Sequence, residues 1–88
     1  MPLQDKVSIV DIKEGSAEHY FSYDVYYYKL VDSRPSGTQW KKEFIGLNEQ
    51  QCIERMWVWF RVWTNYDELL THRNEMVRRI GLLCHERL

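Results

Sequence analysis

The residues of this chain that could do chemistry are two cysteines and three histidines, side chains that bind zinc or form thiol catalysts. Cys52, His72, Cys84 and His85 do not have the spacing of a structural zinc site. Cys84 and His85 are neighbours, so on a helix their side chains diverge instead of facing each other. We therefore expect no metal, no cofactor and no enzymatic activity, with both cysteines acting as small apolar residues.

Large aromatic side chains are concentrated in two short segments. Four of the six tyrosines lie in Tyr23–Tyr28, and three of the four tryptophans lie in Met56–Trp63. This is more large apolar surface than a chain of 88 residues needs for one core. We therefore expect part of it to face another molecule.

Three segments that would position these aromatics have strand character. The β-branched segment Lys6–Lys13 predicts a first strand. The adjacent Ile9 and Val10 break its alternation, which fits a bulge or a strand covered on both faces. His19–Val31 predicts a long second strand, and Gln39–Ile45 a third, with Asp32–Thr38 as the loop between them. Short connections favour an antiparallel meander.

Two C-terminal helices follow the strands. Asn48 and Gln51 have capping-box spacing and predict a helix that runs to about Trp63. Similar signals at Thr64 and Asn65 favour a break before a second helix at about 66–86, although one kinked helix remains an alternative. The predicted fold is a single α+β domain over 1–88, a three-stranded antiparallel meander with both helices packed on one sheet face.

The second predicted strand separates an apolar face from a mixed one. Tyr23 and Val25 lie on the apolar face, whereas Ser22 and Asp24 lie among the tyrosines of the other, which we assign to water or a partner. The predicted core consists of Val7, Ile9, Phe21, Tyr23, Val25, Ile53, Met56, Phe60, Leu69, Val77 and Ile80.

Three side chains on the helices do not fit this arrangement. Val58 and Val62 lie opposite the main apolar face of the first helix. Burial under the second helix is the ordinary outcome, and burial in a homodimer is the alternative. Arg73 falls within the apolar stripe of the second helix, where it must pair, stack or extend to water.

The charge balance weighs against nucleic acid, because the formal net charge is -1. A small nucleic-acid-binding domain nevertheless stays as the alternative function. In that alternative the tyrosines of the second strand stack on bases beside lysines, through Tyr26, Tyr28, Lys29, Lys41 and Lys42.

The composition favours binding to another protein, a function that requires no specific motif. Protein interfaces are enriched in tyrosine, tryptophan and arginine, and this chain contains many of them. The profile is that of a small inhibitor or adaptor, of the kind carried by phages and mobile elements. The predicted protein-binding residues are Tyr20, Tyr26, Tyr28, Trp40, Trp57, Val58 and Val62. The sequence shows neither a signal-peptide pattern nor a long apolar window, so we expect a cytoplasmic protein without membrane segments.

Overall fold

A computed structural model describes residues 6–15 and 18–87, and it contains the predicted antiparallel sheet. The strands β1 (Val7–Glu14), β2 (Phe21–Val31) and β3 (Arg34–Gly46) lie in the order β1-β2-β3. The central strand is therefore the one that carries the tyrosine run. This arrangement confirms the α+β meander with C-terminal helices.

Of the two alternatives for Ile9 and Val10, β1 has the bulge. Ile9 pairs with Tyr27 and Ile12 pairs with Val25, and the register shifts between Ile9 and Asp11. The extra residue, Val10, lets both isoleucines point into the core although they are three positions apart.

The loop predicted at Asp32–Thr38 is wrong. The chain reverses over only Asp32 and Ser33, whose φ angles are 51° and 63°, and β3 begins at once with Arg34. Positive φ at both central residues matches the tight hairpin turn that suits the twist of paired strands. Gly37, at a φ of 79°, lies instead within a register shift between β2 and β3.

The first helix, α1 (Glu49–Trp63), begins where the sequence predicts. Asn48 Oδ1 accepts a hydrogen bond of 2.9 Å from the Gln51 backbone N–H, and the Gln51 side chain accepts one of 2.7 Å from the Leu47 N–H. Two orphan donors at the helix start are thus satisfied. Thr64 ends the helix in extended conformation, which confirms the break.

The single second helix over 66–86 is wrong, because two helices occupy this segment. α2 (Tyr66–Leu70) and α3 (Glu75–His85) are separated by a short connection. Asn74 caps α3, accepting a hydrogen bond of 3.1 Å from the Val77 N–H, and a new helix starts there. Arg73 therefore lies in the connection, exposed to solvent, and not within a helical stripe.

The core lies between the sheet and the helices. Trp59 of α1 contacts Tyr27 and Phe44, at ring-centroid distances of 5.3 and 5.8 Å, which shows the sheet face that α1 covers. All predicted core residues are buried except Phe21, which packs against the cluster while partly exposed. Among the described residues, no helix has the length and apolar character needed to cross a membrane.

A polar contact connects the sheet to two helices. The hydroxyl of buried Tyr23 donates a hydrogen bond of 2.5 Å to Glu49 Oε2, and Arg79 of α3 approaches both groups, at 3.2 and 3.0 Å. Burial and the neighbouring carboxylate raise the pKa of Tyr23 to about 12. The hydrogen bonds from Tyr23 and Arg79 lower the pKa of Glu49. This hydroxyl is held in its neutral form, which suits a structural role.

Candidate functional site

The sheet has one face that carries no helix, and we call it the open face. Cross-strand partners share a face, so the register of β2 assigns its members on all three strands. The open face consists of Ser8, Asp11, Lys13, Ser22, Asp24, Tyr26, Tyr28, Leu30, Pro35, Lys41, Glu43 and Ile45. It lies opposite the Trp59 contacts, on the side of the sheet that α1 does not cover.

The two predicted tyrosines at the centre of this face are half-buried. Tyr26 lies between Asp11 and Lys41 in the register, and Lys13 Nζ is 5.5 Å from its ring centroid. Such cross-strand contacts stabilise a sheet and hold the ring in place. The ring of Tyr26 is thus held by its neighbours on the sheet, and Tyr28 pairs with Ser8 on the same face.

One end of the open face is apolar and more accessible. Ile45 is 37% exposed and Leu47, just after β3, is 68% exposed. Tyr20, just before β2, is 54% exposed and lies at the same end, because Phe21 pairs with Gly46. Sequence reasoning predicted Tyr20 and missed Ile45 and Leu47, although the position of Ile45 on this face follows from the strand pairing.

A second feature of the open face is a pair of buried polar groups on β2, beside Gly15. Gly15 continues the β1–β2 pairing and donates a hydrogen bond of 2.8 Å to the Ser22 carbonyl. A Cβ on Gly15 would lie 2.2 Å from Ser22 Oγ, so only glycine leaves room for the serine side chain here. Ser22 Oγ and one Asp24 carboxylate oxygen are buried without a hydrogen-bond partner among the described residues. Glu43 pairs with Asp24, so negative charge collects at this point.

The remaining predicted residues lie on other surfaces. Trp40 pairs with Tyr27, so it lies on the helix side of the sheet, where it is 46% exposed under the ammonium of Lys29. Its ring centroid is 4.5 Å from Lys29 Nζ. The open face and Trp40 are therefore not parts of one surface.

The third surface is the outer side of α1. Trp57 is half-buried, with Arg61 stacked 4.6 Å from its ring centroid. Val58 is 44% exposed and Val62 is half-buried. From the sequence, burial of both valines under the second helix is the ordinary outcome. Val58 is not buried in this way.

The lysines of the nucleic-acid alternative are also divided between faces. Lys41 pairs with Tyr26 on the open face. Lys42 pairs with buried Val25, and Lys29 pairs with buried Val7, so both lie on the helix side. Tyr26 and Tyr28 therefore have only one of these three lysines on their own face.

The thiols are not placed for chemistry. Cys52 and Cys84 are both fully buried. Burial raises the pKa of both, and that of Cys84 to about 12, so neither is an accessible thiolate near neutral pH. Within residues 6–15 and 18–87 no group of three potential metal ligands is found.

Comparison of the chain with models of protein families, with curated proteins and with solved structures finds no match.

Proposed function

We propose that this chain is a non-enzymatic protein-binding module that engages another protein through the open face of its sheet. The observation that carries the proposal is the asymmetry of the sheet. One face is covered by helices, and the other presents the rings of Tyr26 and Tyr28 together with exposed Tyr20, Ile45 and Leu47. Aromatic anchors beside accessible aliphatic groups are the usual centre of a protein interface.

Rigidity favours the open face as a binding surface. Both central tyrosines lie on the middle strand. Tyr26 is paired on both sides, with Asp11 and Lys41, and Tyr28 is paired with Ser8 of β1 where the β3 register shifts. Tyrosine has few rotatable bonds, and side chains already half-buried lose little freedom on binding. A partner can therefore bury these rings without a large ordering penalty.

The charges of the open face favour protein over nucleic acid. It carries three carboxylates and two ammonium groups, from Asp11, Asp24, Glu43, Lys13 and Lys41. A phosphate backbone would be repelled by this net negative charge. A protein that presents an apolar group and a basic side chain would be complementary, with the basic group directed to Asp24 and Glu43.

A blocking or bridging role is the finer part of the proposal. A small rigid module with one interaction face acts by covering a surface of a larger protein, as inhibitors and adaptors do. We propose a function without catalysis, because both thiols are buried and the hydroxyl of Tyr23 is held neutral between the helices and the sheet.

Self-association through α1 is a separate part of the proposal. Val58 is 44% exposed beside half-buried Trp57, in a shallow depression completed by Glu54 and Arg87. A second copy could cover it through a two-fold interface. Light scattering tests this: a dimer that Val58→Glu splits without loss of the circular dichroism spectrum supports it, and a 10.8 kDa monomer at all concentrations contradicts it.

The experiment on the open face is affinity capture from the native host with matched variants. Tyr28→Ser removes a ring from the open face, and Tyr20→Ser removes the exposed ring at its apolar end. Leu82→Ser removes an apolar group of α3 that is 49% exposed. We expect both tyrosine variants to lose the captured protein and Leu82→Ser to keep it. Equal capture by all three folded variants would contradict the proposal.

A further inference from the structure

A second accessible site lies on the helix side of the sheet, away from the open face. It is a cleft of about 500 Å³ between the β2–β3 hairpin and the C-terminal half of α1. We call it the lysine–tryptophan cleft; its lining is Lys6, Val7, Tyr27, Lys29, Lys42, Trp59 and Trp63. Sequence reasoning did not bring these residues together, because they come from four separate elements and the segment before β1.

The lysines of the cleft are held at its edges by the surrounding structure. Lys6 Nζ donates a hydrogen bond of 2.9 Å to the Val62 carbonyl, near the C-terminal end of α1. Lys29 Nζ lies 4.5 Å from the Trp40 ring centroid, and Lys42 Nζ lies 5.8 Å from that of Phe44. Contacts with a carbonyl and with ring faces position an ammonium group but do not neutralise its charge.

The described residues that line the cleft do not balance its positive charge. No carboxylate is among its lining residues, and Lys6, Lys29 and Lys42 form no salt bridge within the part of the chain that the structure describes. The whole chain has a net charge of -1, so this is a local concentration of one sign. Clustered positive charge attracts anions and raises their concentration near the cleft.

The apolar part of the cleft is aromatic and flat. Tyr27, Trp59 and Trp63 contribute their rings, and all three are half-buried. Trp59 is braced by Tyr27 and Phe44, whereas Trp63 has no ring–ring contact among the described residues. Half-buried indole and phenol rings favour a planar ligand, because a planar ring can stack on them. Such stacking depends little on which substituents the ligand ring carries.

We propose that the lysine–tryptophan cleft binds a small ligand that carries a phosphate group on a planar ring system, the chemical class of the mononucleotides. A phosphate monoester brings about two negative charges and three acceptor oxygens near neutral pH. It can therefore satisfy several ammonium groups, whereas a single carboxylate leaves most of the positive charge unbalanced. Lysine binds phosphate as a point charge, and no arginine, the usual partner of planar carboxylates, is among the described lining residues.

Size and surroundings favour a small ligand over a polymer. A volume of about 500 Å³ lies in the ordinary range for sites that enclose one small molecule. A nucleic-acid strand needs a basic path that continues beyond one nucleotide, and the chain as a whole has a net charge of -1. The site is independent of the open face, so its failure would leave the proposed protein-binding function untouched.

The test is a titration of the isotope-labelled protein with adenosine 5′-monophosphate, followed through the tryptophan indole N–H resonances. We expect saturable shifts at Trp59 and Trp63, with Trp57 on the outer side of α1 unchanged. Adenosine and inorganic phosphate, tested separately, should each bind at least about tenfold more weakly, because each lacks one half of the recognised group.

A matched pair of variants locates the phosphate. Lys42→Gln removes an ammonium of the cleft, and Lys41→Gln makes the same charge change on the opposite face of the same strand. Loss of a charged hydrogen bond should weaken nucleotide binding about tenfold in Lys42→Gln and leave Lys41→Gln close to wild type. If Lys42→Gln does not fold, Lys29→Gln replaces it in the same comparison.

Three results would overturn the proposal. The first is the absence of a saturable shift at nucleotide concentrations up to about 1 mM. The dissociation constant would then be too high for a specific site. The second is an equal effect of the Lys41 and Lys42 variants. The third is tighter binding of a single-stranded oligonucleotide or of an oligoglutamate peptide than of the mononucleotide, since either would assign the cleft to a macromolecule.

Discussion

Gly81 provides a test of helix packing in which two opposing effects have comparable size. In an exposed helix, Gly81→Ala would stabilise the protein by about 1 kcal/mol, because alanine has the higher helix propensity. In this fold Gly81 is buried within α3, and an added Cβ would lie 2.9 Å from Leu69 Cβ of α2. Leu69 Cβ is fixed by its backbone, so a side-chain rotation cannot relieve the contact and α2 must move.

Overpacking of this kind costs roughly 1–3 kcal/mol, which exceeds or cancels the gain in propensity. We therefore expect Gly81→Ala to lower the free energy of unfolding by about 1 kcal/mol, or the Tm by roughly 4–8 °C. Urea and thermal unfolding followed by circular dichroism measure both. Leu82→Ala, at the exposed neighbouring position, is the control and should change stability by less than about 0.5 kcal/mol. A gain of about 1 kcal/mol in Gly81→Ala would refute the close packing of α2 on α3.

Three further predictions concern the turn, the polar contact at Tyr23 and the buried thiols. Ser33→Gly should raise the free energy of unfolding by roughly 0.5–1 kcal/mol in urea titrations, because glycine adopts the φ of 63° without strain; a decrease would contradict the two-residue turn. The raised pKa of Tyr23, about 12 against an ordinary 10.0, means that the folded state holds a proton which the unfolded chain releases. Stability should thus fall as pH rises from 10 towards 12, less steeply in Tyr23→Phe, and an unchanged slope would count against this. The lowered pKa of Glu49 affects stability at acid pH. The ionised Glu49 stabilises the fold fully above pH 4.5, and this stabilisation is lost as the pH falls through the folded pKa. Glu49→Gln should therefore make stability less dependent on pH in the acid range. Finally, Cys84 should react with a thiol reagent only as fast as the protein unfolds, and rapid labelling under native conditions would show that the core is open.

Local sequence signals predicted the elements that depend on local interactions. The start of α1 at Asn48 and the bulge beside Val10 each rest on residues a few positions apart, and both are present. The predicted core is correct for the same reason, because period-two and helical patterns assign faces within each element. Only Phe21 is less buried than expected, at the end of β2.

The errors have physical causes as well. The turn at Asp32 and Ser33 lacks the glycine that usually marks positive φ. Pro35 and Gly37, which follow it, are residue types typical of loops, although here they lie in β3. The break before α3 was missed because the apolar spacing continues across it, and this spacing outweighed the capping signal of Asn74.

The candidate sites were predictable only in part. Tyr20, Tyr26 and Tyr28 were assigned to one face by alternation, and the register keeps Tyr26 and Tyr28 there. The accessibility of Ile45 and Leu47 and the convergence of Lys6 with Lys42 depend on how distant elements pack, information that periodicity does not contain.

The central claim is that the open face contacts a partner protein. Its most direct test is amide hydrogen exchange of the chain, alone and in complex with the protein that it captures. We predict slowed exchange in β2 and β3 around Tyr26, Tyr28 and Ile45, with α1 around Val58 unchanged. Protection confined to α1 or α3, with the exchange of the sheet unaltered, would contradict the claim.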